Sequence, residues 1–496
     1  MIAAYRVADV RTAEGRVMAQ LPDGLLMQRA ASALAAVVAE VLGGGVLGGV
    51  GQGGIGQGGV YGARVVLLVG PGSNGGDALW AGARLAVRGA RVDAVLTSEQ
   101  VHDEGLAALT RAGGRAHRGD GSSTRAALAG ADVVLDGLLG IGGRPGLAEL
   151  PARLLEAVPD EAVVIAVDLP SGVDPDSGAT PGEHVWADLT LTFGVAKPCL
   201  VVPPADRAAG EVRVVDIGLD AGLAGLTAAV EYWSADDVAE SWPVPGPRDD
   251  KYSRGVLGIV AGGATYTGAA VLCSGAAVQT GAGMVRYVGP QPPTDLVRAR
   301  WPEVVPGMGR VQAWVLGPGV DADVDATQRA AIQTALAQDL PCVVDAGALG
   351  LLPDAASGPM LLTPHAGELA RLLSVRGPDR VDRADVEARP LDHALLASEL
   401  TGATVLLKGA TCVLAAPDGR VRTASDGPGW LATAGSGDVL AGIAGSLLAA
   451  GLEPLDAGAM AVVVHGVAGE RASLGGPVSA EAVLRAVPGA IAALLS

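Results

Sequence analysis

The chain has 496 residues and a formal charge of −18, a length that asks for about two to four domains and a field that repels both nucleic acid and anionic membrane, so neither is expected as a partner. Residues are 49% apolar but only 3% aromatic, a balance that favours an α/β architecture built on Val, Leu and Ala. Cys199, Cys273, Cys342 and Cys412 stand far apart without a C-x-x-C pair, which speaks against a zinc ribbon and against a disulfide framework.

The opening stretch "MIAAYRVADVRTAEGR" carries charges throughout and no apolar h-region, so no signal peptide is expected and cytoplasm is the default compartment. Leu25, Leu26, Ala30, Ala33, Leu34, Val37, Val38 and Val41 recur at helical spacing and predict a helix over 21–42. It runs into a glycine-rich low-complexity insert at 43–62, from which no chemistry is expected. Two uncharged runs, 41–63 and 255–285, read as soluble loop and as strand, turn and helix rather than as membrane spans.

From residue 64, apolar runs alternate with helical patterns: "RVVLLVG", then the helix "GGDALWAGARLAVRG", then "RVDAVL", "ADVVLDGLLG", "AVVIAVDLPSG", "DLTLTFG" and "VRVVDIG". Such alternation implies right-handed βαβ units and a mainly parallel sheet, placed in a first domain at 1–230. "EYWSADDVAESWPVPGPR" changes the texture, and 231–248 is read as a linker. The alternation restarts over 249–496 as a second α/β domain, through "VLGIVAGG", a helix at about 267–281, "MVRYVG", "VQAWVLGPG", "PCVVDAG", "PMLLTPH", "TVLLKGATCVLAAP" and a helix after Gly437.

Two short stretches carry most of the chemical signal. In "LATAGSGDVLAG", Val439, Leu440, Ile443, Leu447 and Leu448 fall on one helical face, so the preceding "AGSG" is the helix entrance. Its free N–H groups and dipole make an anion hole that glycines leave open to a phosphate. Asp438 at that place has two readings: an acid favoured by the dipole alone, or a base that takes a hydroxyl proton beside the charge of a transferred phosphoryl group. "GPGSNGGDALW" repeats the arrangement after the first strand, with Asp77, but lacks both a P-loop lysine and the G-x-G-x-x-G spacing. Asp136 and Asp168 end two further strands of the same sheet, where they either cap their own turns or converge with 73–77 on one crevice. Only three lysines exist, Lys197, Lys251 and Lys408.

In order, "GGATYTGAA", "LGPG", "VVDAGAL", "TPHAGE", "LLKGATCVL" and "AGSGD" resemble the ribokinase-like family, and within it the NAD(P)H-hydrate dehydratases, over about 249–490. That resemblance implies that Asp438 is the base on a hydrated nicotinamide substrate and that Ala269, Gly319 and His365 line its site. It further implies that Gly437 and the run Lys408, Gly409, Ala410, Thr411 and Cys412 hold an adenine nucleotide. Lys251 in "KYSRG" is similar to the family's domain opening. Gly347 stands where the family usually has an acid, and Ala366 where it usually has proline.

Residues 5–220 resemble the YjeF N-terminal family, the NAD(P)H-hydrate epimerases, through "SNGGD" and "DLPSG". The resemblance implies that Ser73, Asn74, Gly75, Gly76 and Asp77, with the loop Gly140, Ile141, Gly142, Gly143, Arg144, Pro145 and Gly146, bind the dinucleotide. Asp168 would be the acid/base partner, and Asn74, Asp136 and Ser171 would bind potassium, a hard ion suited to oxygen donors. Ser73 replaces a usual asparagine, and Ala78 a common glycine.

The expected fold is therefore α/β, with two three-layer αβα domains, Rossmann-like and then ribokinase-like. The expected function is repair: the first domain interconverts R and S hydrates, and the second restores NAD(P)H from the S form with ADP as phosphoryl donor, magnesium bridging its phosphates, and AMP and phosphate as products. The expected partners are NAD(P)H hydrates, an adenine nucleotide and a second copy of the chain in a homo-oligomer. A small-molecule kinase of hydroxymethylpyrimidine or sugar type, with a nucleotide-sensing first domain, is the rival reading, because "GSGD" is shared across that superfamily.

Overall fold

The structure, a computed structural model, describes residues 1–44, 59–321, 324–425 and 427–496. Most of the glycine-rich insert expected at 43–62 lies outside the described residues. The chain divides into one unit of Ala3–Ala229 and a second of Met1–Ile2 with Val230–Ser496.

The first unit is a seven-stranded parallel sheet in the order Arg115–Arg118, Arg91–Leu96, Arg64–Val69, Val133–Gly137, Val163–Val167, Leu189–Phe193, Glu211–Val215. Side chains alternate across a strand, and "RVVLLV" is apolar on both faces because both are covered. Val65, Leu67 and Val69 enter a core with the helices Leu25–Leu42, Ser73–Val87 and Asp103–Arg111, whereas Val66 and Leu68 enter a second core with Leu128 and Leu154 from the opposite layer. Helix Leu25–Leu42 is, by length and composition, apolar enough to cross a membrane. Its stripe of Ala30, Ala31, Leu34, Ala35, Val38, Val41 and Leu42 is instead buried in this core, as expected of an amphipathic core helix.

Strand order reverses at Arg64–Val69, whose chain successor lies on one side and Val133–Gly137 on the other. Ligands of open α/β sheets bind outside the carboxyl ends at such a point. A helix at Val7–Met18, absent from the sequence reading, buries Val7, Val10, Ala13 and Val17.

The second unit is an eleven-stranded mixed sheet. From Val305–Pro306 it runs through Met284–Val288, Val256–Val260, Ala313–Leu316, Cys342–Val344, Met360–Leu362 and Thr404–Leu407, all parallel. Cys412–Ala415 and Val421–Ala424 follow antiparallel, then Val230–Trp233 and the edge strand that Ile2 opens. "TVLLKGATCVLAAP" is thus a hairpin whose turn is Lys408–Thr411. Helices Thr267–Thr280, Ser436–Ala449, Pro454–Ser473 and Ala480–Leu494 share one core with Leu257, Ile259, Val315, Val343, Leu361, Leu406 and Leu414. Helices Ala326–Leu336, Ala366–Arg376 and Pro390–Thr401 bury their own apolar residues as further layers.

Much of 231–248 is not a plain connector. Val230–Trp233 is a strand of the second sheet, and a capping box of Ser234 with Asp237 starts the helix Ala235–Ser241, which buries Val238. The guanidinium of Arg422 lies 4.3 Å from the Trp233 ring and pairs with Glu231 and Asp456. These contacts give the stretch a place in the second core; proline-rich texture begins only at Trp242.

Candidate active sites

At the first unit's switch point, three strand ends are tied by one polar knot. The Asp136 carboxylate, fully buried, accepts from Ser171 Oγ (2.6 Å), Ser171 N (2.7 Å) and Leu138 N (3.2 Å). Asn74 Nδ2 donates to the carbonyls of Val167 and Leu139, the latter at 3.2 Å. A Cβ on Gly140 would lie 2.5 Å from Asn74 Oδ1, so only glycine lets that loop approach. Burial pushes Asp136 up to about 6, against its hydrogen bonds from Ser171 and Leu138. The oxygen-rich knot holds a buried carboxylate with no cationic side chain among its partners, which fits a hard monovalent cation on Asn74, Asp136 and Ser171.

Beside it lies an acid cluster. Asp168 follows the strand Val163–Val167 in a left-handed conformation (φ 72°), a strained geometry found at functional sites. Its Oδ1 pairs with the fully buried Lys197 ammonium and accepts from Thr192 Oγ1 (3.1 Å) and Phe193 N (3.3 Å). Lys197 also donates to Thr192 Oγ1 at 3.0 Å.

Asp77, inside the helix Ser73–Val87, is 6% exposed and its Oδ1 has no hydrogen-bond partner. Burial, then the charges of Asp168 and Glu14, hold its carboxyl well above the usual range. Glu14, from helix Val7–Met18, is raised by burial too, and shares with Asp77, Ser73, Met27, Phe193 and Ile217 a cavity of ≈220 Å³. Sequence reading missed Glu14; the spacing of Val7, Val10, Ala13 and Val17 was the signal available.

Other expected residues spread along the same rim. Ser73 is exposed, Gly75 and Gly76 are buried, Ile141, Gly143 and Gly146 are half-buried, and Gly142, Arg144 and Pro145 are exposed. Gly146 N donates to Gly172 O at 2.7 Å, tying the glycine loop to "DLPSG". Ala78 is fully buried, and a Cβ on Gly137 would lie 2.9 Å from its methyl, so alanine fills the space between helix and strand end.

In the second unit, Gly435 (φ 87°) caps the helix Ser436–Ala449 in a conformation that favours glycine. Asp438 lies in the first turn. Burial, then the charge of Asp345, pushes its carboxyl up to about 7 against the pull of Lys408. Lys408 Nζ binds Asp345 Oδ1 at 2.8 Å and comes within 3.5 Å of where a Cβ on Gly437 would sit. Burial disfavours that ammonium, but Asp345, Glu368 and Asp438 outweigh it and hold its pKa above the ordinary value. Ser436 Oγ is 3.1 Å from the buried His465 Nε2, whose ring burial lowers to about 4.

Gly409 and Ala410 are exposed in the hairpin turn, whereas Thr411 and Cys412 are buried. Ala269 is buried, and a Cβ on Gly319 would stand 2.3 Å from its methyl, so these two meet on one wall. His365 caps helix Ala366–Arg376: its Nδ1 accepts from Gly367 N (3.0 Å) and Glu368 N (3.3 Å), and its own N–H donates to Glu368 Oε2 (2.8 Å). Its ring remains open to solvent beside the end of the Lys408 strand. Ala366, at the first helical position, replaces a proline that would suit that position equally. Gly347 could not be an acid without movement, since its Cβ would lie 2.4 Å from Val320 O.

Each unit therefore places an Asp–Lys pair at strand ends beside a helix entrance and a second carboxylate of raised pKa. Two of the three lysines are in these pairs; Lys251 is exposed, 5.1 Å from the Tyr252 ring centroid.

Comparison with known proteins agrees with this division. Residues 257–484 match a family described as NAD(P)H-hydrate dehydratase, and residues 24–199 one described as YjeF-related protein N-terminus. The chain is 45% identical to the bifunctional NAD(P)H-hydrate repair enzyme Nnr of Mycobacterium tuberculosis, covering 92% of this chain and 91% of that protein. It is also 45% identical to the enzyme of the same name from Mycobacterium leprae, covering 93% and 92%. Among solved structures, an ADP/ATP-dependent NAD(P)H-hydrate dehydratase from Bacillus subtilis aligns at TM-score 0.49 and 24% identity, over 53% of this chain and 99% of that one. By both domain matches and by identity along nearly its whole length, the chain belongs to the family of bifunctional NAD(P)H-hydrate repair enzymes.

Proposed function

We propose that the chain repairs hydrated nicotinamide nucleotides: residues 1–230 interconvert the R and S hydrates, and residues 249–496 dehydrate the S form to NAD(P)H with ADP as phosphoryl donor. The observation that carries this reading is the paired chemistry of the two units, each with an Asp–Lys pair beside a helix entrance. Family membership supplies the substrate class.

In the dehydratase site Asp438 takes the proton of the hydrate hydroxyl as it attacks the terminal phosphoryl group of ADP. The Gly437 N–H at the helix entrance and the Lys408 ammonium hold the phosphate oxygens. Hydroxide, a poor leaving group, is thereby replaced by phosphate, which departs as the neighbouring ring carbon gives up a proton to it and the ring double bond re-forms, with AMP left behind. Gly437 lets the phosphate approach, Lys408–Cys412 contact the nucleotide, and Ala269, Gly319 and His365 line the hydrate's side. Magnesium carried on the nucleotide would neutralise phosphate charge.

In the epimerase site Asp168 exchanges the proton, Lys197 holds its charge and orientation, and the turn Ser73–Asp77 with the loop Gly140–Gly146 holds the dinucleotide. Asn74, Asp136 and Ser171 would hold potassium, which fixes the knot that shapes the site.

The test is to supply each hydrate epimer with ADP and follow nicotinamide absorbance. Recovery of both supports the reading; recovery of S alone leaves the first unit without epimerase activity, and a stable phosphorylated product overturns it. The raised carboxyl of Asp438 adds a pH signature. Its base form is needed, so dehydration kcat/KM climbs about tenfold per pH unit below about 7 and levels above it. A flat profile from pH 5 to 8 would remove Asp438 from the proton transfer.

A further inference from the structure

Asp345 follows the strand Cys342–Val344 and is 3% exposed. Its Oδ1 accepts from Lys408 Nζ and from Thr363 Oγ1, both at 2.8 Å, and its N–H donates to Leu316 O at 2.9 Å. One residue thus joins four neighbouring strand ends, those of Ala313–Leu316, Cys342–Val344, Met360–Leu362 and Thr404–Leu407. The ammonium it holds reaches the entrance of the helix that carries Asp438.

A buried pair of this kind is seldom a gain in stability over apolar side chains, and an unattached Lys408 could rotate out of the helix entrance. We propose that Asp345 is a positioning residue of the dehydration: it anchors Lys408 at the helix entrance so that the ammonium meets phosphate beside Asp438.

The groups gathered around this helix entrance leave few rivals for the task. Helix Thr267–Thr280 brings the Cys273 thiol, which burial keeps protonated. Helix Ala366–Arg376 brings Glu368, whose charge acts on Lys408. Pro454–Ser473 brings His465, neutral and bound to Ser436, and Ala480–Leu494 brings the Ala480 methyl near Gly435. The charges acting on Asp438 itself are those of Asp345 and Lys408.

The inference rests on Asp438 being the base, and the two can fail separately. In the full chain, Asp345→Asn keeps an oxygen for Lys408 and Thr363 but removes the charge. The acid limb of the dehydration profile is expected to fall by at least about half a pH unit, and KM for ADP to rise about tenfold as Lys408 loosens. Epimer exchange, housed in the other unit, is expected to stay unchanged. An unmoved limb with an unmoved ADP KM, while Asp438→Asn is inactive, would reduce Asp345 to a structural ion pair and overturn the inference alone. An active Asp438→Asn would overturn the base assignment beneath it.

Should Asp345→Asn unfold because Lys408 is left unpaired, the double variant Asp345→Asn with Lys408→Met removes both charges and restores a neutral core. Its acid limb is expected below the wild-type position, because of the two opposing charges removed that of Asp345 is the larger. A limb above the wild-type position would reject the proposal.

Discussion

Replacing Asp438 by alanine is expected to lower dehydration of the S hydrate by about 10²–10⁴, with exchange between epimers intact. The effect should fall on kcat more than on KM for ADP, because the Gly437 N–H and Lys408 still hold phosphate while the hydroxyl has lost its proton acceptor. Asparagine should be as inactive and should also report on stability. Burial raises the carboxyl to about 7 in the folded chain from an ordinary 3.8. Between those values the folded state binds more protons than the unfolded one, so this group's contribution is complete below about 4 and is lost as pH rises through about 7. Asp438→Asn removes that penalty, and above pH 7 its melting midpoint should exceed the wild type's by about 2–4 °C for each kcal/mol relieved. Near-normal dehydration by either variant would assign the proton transfer elsewhere.

Asp168→Asn is expected to lower epimer exchange by about 10²–10⁴ and to leave ADP-dependent recovery of the S form unchanged. It should also destabilise the first unit, because Lys197 is 1% exposed and would be left buried without its carboxylate partner. Leaving one member of a buried pair alone costs about 3–5 kcal/mol, whereas removing both is often neutral. Asp168→Asn with Lys197→Met should therefore regain the wild-type melting midpoint and remain unable to exchange epimers. This separates lost chemistry from lost folding. Recovery of exchange in the double variant would show that the pair serves stability only.

Periodicity made the layers of both units legible. "RVVLLV" and "AVVIAV" are strands apolar on both faces, and Leu25–Leu42 shows its buried stripe in the spacing of alanines, leucines and valines. Where local patterning was diluted, the reading failed. Helix Val7–Met18 buries residues of modest size among Arg11, Glu14 and Arg16, so its periodicity is faint. Val230–Trp233 looks like linker because its worth comes from Val421–Ala424, far along the chain.

The site shows the same division. "AGSGD" and "SNGGD" announce themselves as helix entrances because glycine and acid are local signals. Asp345 and Glu14 do not, since their importance lies in partners distant in sequence: Lys408 lies 63 positions from Asp345, and Asp77 sits on a different helix from Glu14. Lys197 was conspicuous by rarity, yet only the geometry gives it Asp168.

The scarcity of lysine has a practical corollary. Lys197 is sealed in the interior and Lys408 is largely covered and engaged with Asp345, so an amine-reactive dye or resin meets one open side chain, Lys251. Coupling there would tether or tag the protein while leaving both reaction centres chemically untouched.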